Sequence, residues 1–187
     1  ARVSNLLKQK FYSVNNSRES YFNKLELNIA VHIRRGDIAN PNRKDHVKYL
    51  PDKYFIETIN KIVSLVKGKF DYKVHIYTES NLPLNSKLEN RPDVVVHRSK
   101  GSEGIIDDLY HLANADILVQ SKSFFSMVAA ERSKGFQVLW DGSWSAETLL
   151  ENLANIKAVK GEKIPLLMSF PCSGAHWIRY CVEYFSG

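Results

Sequence analysis

Five short apolar, β-branched runs recur along this chain, at residues 29–35, 73–78, 93–97, 116–120 and 137–140. A strand of that kind is buried on both faces, which is the condition of a parallel sheet covered by helices. Helix patterns fill most of the intervals. Residues 51–67 open with Pro51 in the first turn, set Phe55, Ile59, Ile62 and Val66 on one stripe, and stop at Gly68. Residues 104–114, 123–134 and 145–155 carry the next helices. The stretch 80–92 holds Pro83 and Pro92 and reads as a loop with at most one weak helical turn. Strand and helix in alternation predict an α/β fold with a doubly wound parallel sheet.

The regular pattern covers residues 28–156 and marks one domain. Residues 1–27 read as a helical lead-in, the remnant of a missing N-terminal half. Lys157 to Lys163 is a polar break containing Gly161, and a fresh strand pattern at 164–169 and helix pattern at 173–186 follow it. A boundary is therefore expected near residue 160, with 164–187 the start of a second, truncated α/β domain. The net charge of the 187 residues is +6, and half of it lies in 1–27, where five Arg or Lys face two Glu. A surplus of that size suits an anionic nucleotide ligand and equally mere solubility, and no nucleic-acid partner is expected. No apolar run approaches the ~20 residues that cross a bilayer, and no secretory signal opens the chain. Cys172 and Cys181 form no disulfide framework. Both observations fit a cytoplasmic, reducing location.

Ligands of open α/β sheets bind beyond the carboxyl ends of the strands. Asn28 to Asp37 delivers His32, Arg34, Arg35 and Asp37 to such an end. Side chains alternate along a strand, so His32 and Arg34 share a face and Arg35 points away. A guanidinium offers a planar fork of donors that matches phosphate geometry. The second strand delivers Thr78, Glu79 and Ser80, and the third His97 and Ser99. The fourth runs into Ser121-Lys122-Ser123, where Ser123 is an N-cap or leaves its helix amides to a phosphate. Asp107 and Asp108 either complement a helix dipole in a first turn or supply a carboxylate to the N1–H and N2–H donors of guanine. Adjacent helical carboxylates diverge by about 100°, and no His/Cys cluster has zinc spacing, so no metal is expected.

His32-x-Arg34-Arg35-x-Asp37 resembles the donor-binding motif of the fucosyltransferase superfamily, whose α-1,2, α-1,6 and protein-O members share a GT-B fold. The stretch from Asp108 to Ser126, with Ser121 and Ser123, resembles the same family. The resemblance spans residues 28–142 and is nearest by eye to the α-1,2 branch. It implies that residues 28–156 are the nucleotide-sugar-binding, Rossmann-like half of a GT-B enzyme. It implies inverting, metal-independent transfer of fucose from GDP-fucose to a glycan acceptor, with no bound cofactor. By position, Arg34 is the catalytic residue and holds the β-phosphate as GDP departs. His32 and Asp108 contact the guanosine, Asp37 belongs to the donor site, and Ser121 and Ser123 bond the phosphates. The general base is unassigned among Asp37, Asp45 and His46. A eukaryotic origin would place such an enzyme in the Golgi lumen.

Pro165 to Arg179 resembles the loop that grips the phosphosulfate of PAPS in sulfotransferases. Ser173, Gly174 and Trp177 match that motif; Cys172 stands where a Lys or Arg is usual and His176 where a Thr is usual. Two alternatives therefore stand beside the fucosyltransferase reading. One is a sulfotransferase using PAPS, and the other is a catalytically silent nucleotide-binding module.

Overall fold

A computed structural model describes residues 2–42, 44–79, 84–98 and 101–159 of the chain. The sequence expectations for Ser80, Ser99 and the whole tail from 164 to 187, including Cys172, Ser173, Gly174, His176, Trp177 and Cys181, lie outside the described residues. The chain divides into two compact units, residues 1–152 and 153–187, and the sheet lies wholly in the first.

Five strands form the sheet: β1 (Leu27–His32), β2 (Tyr72–Tyr77), β3 (Val94–His97), β4 (Ile117–Val119) and β5 (Phe136–Val138). All pairings are parallel, in the order β3-β2-β1-β4-β5. The chain builds outward from β1 to β3 on one side, then returns to β1 and builds β4 and β5 on the other. That reversal is a doubly wound sheet, and it places the topological switch point between β1 and β4. Every residue of β1 is buried, the apolar Leu27 and Ile29–Val31 together with the polar Asn28 and His32.

The helices are α1 (Arg2–Val14), α2 (Asp52–Val66), α3 (Ser86–Glu89), α4 (Gly101–Asn114), α5 (Phe124–Arg132) and α6 (Ala146–Val159). Right-handed crossovers in opposite directions put α2 and α4 on opposite faces of the sheet. The stripe Phe55, Ile59, Ile62 and Val66 of α2 is fully buried. On the opposite face, Ala30, Tyr77 and Leu118 pack with Leu112 of α4 and with Ala129 and Ala130 of α5.

The lead-in is helical only to Val14. It then runs irregularly to β1 and is fastened to the sheet unit at several points. Lys8 donates to Ser133 O at 3.1 Å, and Tyr12 donates to Arg132 O at 3.1 Å. Arg18 pairs with Asp107 at 3.2 Å. Further on, Tyr21 lies against His111 with ring centroids 3.6 Å apart.

A candidate nucleotide-binding cleft

β1 ends at His32, three residues before the expected Arg35, because the backbone turns out of the ladder to form a short 3-10 turn at Gly36–Ala39. Ile33 keeps one last sheet bond, from its N–H to Tyr77 O at 2.9 Å. The turn separates the two arginines. Arg35 goes back into the protein, where its guanidinium donates to Arg34 O at 2.8 Å and Leu50 O at 3.0 Å and pairs with Asp52. It also lies over the rings of Tyr49 and Phe55. Arg34 stays at the edge and pairs with Asp37 at 3.1 Å.

A cavity of about 240 Å³ opens at this carboxyl edge. His32 and Arg34 wall it from β1, and Tyr77, Thr78 and Glu79 from the end of β2. Ile105 and Asp108 enter from α4, and Ser123 and Phe125 from the start of α5. It therefore sits at the switch point where the topology calls for a ligand.

His32 is the most enclosed polar group in that wall. Burial, and then the nearby Arg34 charge, push its pKa down to about 3, so the ring is neutral near pH 7. Its Nδ1 shares a 2.8 Å hydrogen bond with Ser121 Oγ. Ser121 is not itself in the cavity wall; it orients the His32 ring from behind. Asp37 likewise meets the cavity through Arg34. Ser123 caps α5, its Oγ accepting from Phe125 N at 3.2 Å, and it also lines the cavity. Thr78 is 1% exposed and its Oγ1 has no hydrogen-bond partner.

The two aspartates of α4 have different surroundings. The helix starts at Gly101, three residues earlier than its apolar pattern indicates, so both lie beyond the first turn. Dipole complementation, which fades after the first turn, is therefore not their main role. Asp107 turns to Arg18 and to His111, whereas Asp108 lines the cavity.

Two other edge residues are drawn elsewhere. His46 donates from Nδ1 to Ile38 O at 2.9 Å and stacks on Tyr49. His97 lies in a ring stack with Tyr21, His75 and Tyr77. Three cavity residues, Tyr77, Ile105 and Phe125, are not among the site residues expected from the sequence. Tyr77 adjoins the edge residue Thr78, and Phe125 lies inside the Asp108–Ser126 stretch, and those placements are the available signal.

Among the described residues, no group of three His, Cys, Asp or Glu side chains is arranged to hold a metal ion. No described helix is long and apolar enough to cross a membrane. No protein-family model matches the chain, and no curated protein matches it. Among solved structures it is similar to NodZ alpha-1,6-fucosyltransferase co-crystallized with GDP, with 17% identity and a TM-score of 0.37. The similarity covers 70% of this chain but 41% of that one, so the chain spans less than half the length of the protein it resembles.

Proposed function

We propose that residues 28–156 form the donor-binding half of a GT-B glycosyltransferase that transfers fucose from GDP-fucose to a glycan. The observation that carries this reading is the convergence of His32, Arg34, Asp108 and Ser123 on one cavity at the switch point. These residues come from the end of β1, from α4 and from the start of α5, and each belongs to one of the two motifs that resemble the fucosyltransferase superfamily.

The chemistry follows from the side chains. Asp108 accepts from the adjacent N1–H and N2–H donors of guanine. Arg34 offers two parallel donors to the β-phosphate. The neutral His32 ring, fixed by Ser121, bonds the nucleotide without adding charge. Ser123 lies at the amino end of α5, where a phosphate is favoured. In transfer, the bond between the sugar's anomeric carbon and the β-phosphate oxygen breaks, and its electron pair stays on the diphosphate. Arg34 stabilises that growing charge, a task a metal ion performs in other transferases. An acceptor hydroxyl forms the new bond from the opposite face and gives its proton to a general base, for which Asp37, Asp45 and His46 are the candidates, so the anomeric configuration is inverted.

Titration calorimetry of the 187-residue chain with GDP, GDP-fucose, UDP and PAP tests the reading. GDP and GDP-fucose are expected to bind at least tenfold more tightly than UDP. Uracil offers the Asp108 carboxylate one N–H donor in place of guanine's adjacent pair, and one hydrogen bond to a charged group is worth about 1.5–3 kcal/mol. Equal affinity for GDP and UDP would overturn the assignment, and preferential binding of PAP would move the activity to the tail.

A further inference from the structure

The cavity wall contains a carboxylate whose presence beside a diphosphate needs a reason. Glu79, at the end of β2, lines the same cavity as Arg34. A second negative group near phosphate oxygens repels them, so a carboxylate there weakens binding unless it does something else. Its contacts show what that is. Glu79 Oε1 accepts from the backbone N–H of Arg35 at 3.1 Å, across 44 residues of sequence. It also lies close over the next residue. A Cβ built on Gly36 would sit 3.0 Å from Glu79 Oε1 and 3.3 Å from its Cγ. Gly36 has φ +36°, a conformation that glycine adopts without strain.

Arg34 is thus followed by a turn held from two sides. From within the protein, the Arg35 guanidinium binds Arg34 O, while Asp52 holds that guanidinium. From the cavity side, Glu79 holds the Arg35 N–H. Without the second hold, the backbone that aims Arg34 is tethered on one side only.

We propose that Glu79 is a positioning residue for Arg34: its carboxylate fastens the Arg34–Gly36 turn so that the Arg34 guanidinium faces the diphosphate. This rests on the nucleoside-diphosphate reading of the cavity. The role belongs to the acceptor oxygen and not to the charge, so two substitutions have opposite effects. Glu79→Gln keeps an oxygen that accepts from Arg35 N–H and removes the repulsion. Glu79→Ala removes both. Glu79 is exposed, and its truncation leaves no cavity in the core.

The experiment is calorimetry on the full chain with GDP and with guanosine, which lacks the phosphates. The expected result is that Glu79→Ala weakens GDP binding about tenfold, the scale of one hydrogen bond to a charged group. Glu79→Gln is expected to bind GDP as well as the unmodified chain or more tightly. Guanosine affinity should be unchanged in both. In an Arg34→Ala background, Glu79→Ala should cost nothing further, because the residue acts through Arg34. If Glu79→Gln is as damaging as Glu79→Ala, or if the Arg34 and Glu79 losses add, the positioning role is wrong. Tighter GDP binding in Glu79→Ala would leave the carboxylate as a repulsive group only and would also overturn the proposal. An unmodified chain that binds GDP no better than guanosine would overturn the diphosphate reading itself, and this inference with it.

Discussion

Two places in this sheet bury histidine, and they use it differently. At the cavity, His32 stands on the last residue of β1, bonded to Ser121 and open to the space beside Arg34. On the same face of the sheet, His75 and His97 meet His111 of α4 beneath the lead-in. There His75 Nδ1 and His97 Nε2 share a 3.1 Å bond. Tyr21 stacks on His111 and His97, and Phe22 packs on His75 and His111. Tyr21 also donates to Tyr77 Oη at 2.7 Å, which joins the stack to one wall of the cavity. Burial lowers the pKa at both places, to about 3 for His32 and about 4 for His75 and His97. A depressed histidine therefore does not by itself mark a functional site here. The difference lies in what completes the ring's surroundings: other rings at the stack, an open cavity at His32.

The largest expected effect separates the two by stability. His111 is fully buried, donates from Nδ1 to Asp107 O at 2.8 Å and supports both Tyr21 and Phe22. His111→Ala should lower unfolding free energy by about 2–4 kcal/mol, the range for emptying a core site. GDP affinity, measured where the variant is folded, should stay within about twofold. His32→Ala should do the reverse and remove GDP binding at a smaller cost in stability. Urea unfolding and calorimetry on the two variants would break the comparison if the effects were exchanged.

Acid sharpens it next. An imidazole with a lowered folded pKa binds fewer protons folded than unfolded between that value and the ordinary 6.5. Its contribution is whole above about pH 6.5 and is lost as the pH falls toward 4. His111 is lowered as well, mainly by burial. At His32, His75 and His97 together the unfolded chain should take up close to three protons more than the folded one near pH 5, and His111 adds to that in the same direction, so stability should fall steeply there. The local cause at the stack is visible in the bonds. His111 donates from Nδ1 and accepts from Tyr21 N at Nε2, which is the pattern of a neutral ring. His97→Gln should reduce the slope by about one proton. A slope of a single proton in the unmodified chain would mean that the stack is already charged or open.

The strands and most helices are legible in the sequence because the signal is local. A parallel strand covered on both faces is rich in apolar, β-branched residues, and each such run is contained within a few residues. The His32–Arg34 alternation is legible for the same reason. Strand ends are less so: β1 closes at His32 because Arg35 turns inward to Asp52, a partner 17 residues away. The bond from Glu79 to Arg35 N–H and the bond from Ser121 to His32 span 44 and 89 residues. No periodicity reports contacts of that range. The histidine stack is the extreme case. Its rings come from the lead-in, β2, β3 and α4, and nothing in residues 1–27 taken alone marks Tyr21 or Phe22 as its cover.

The smallest expected effect concerns a polar atom that each region leaves unpaired. Thr78 Oγ1 at the cavity and His75 Nε2 in the stack are both buried without a hydrogen-bond partner. Each therefore carries a desolvation cost with no bond to offset it. At Thr78 that cost can be removed without changing shape, since valine replaces the hydroxyl by a methyl group of similar size. Thr78→Val should therefore leave stability unchanged or raise it by up to about 1 kcal/mol, whereas threonine-to-valine changes at bonded sites lower it. The matching change in the stack, His75→Phe, removes the orphan nitrogen but also the bond to His97 Nε2, so it should be destabilising on balance. Opposite signs for the two substitutions in urea unfolding are the expected result. A loss of more than about 1 kcal/mol in Thr78→Val would mean that the hydroxyl is bonded in the free protein. The orphaned atoms of the two regions would then no longer be alike, and the comparison between the cavity at His32 and the ring stack would lose its shared element.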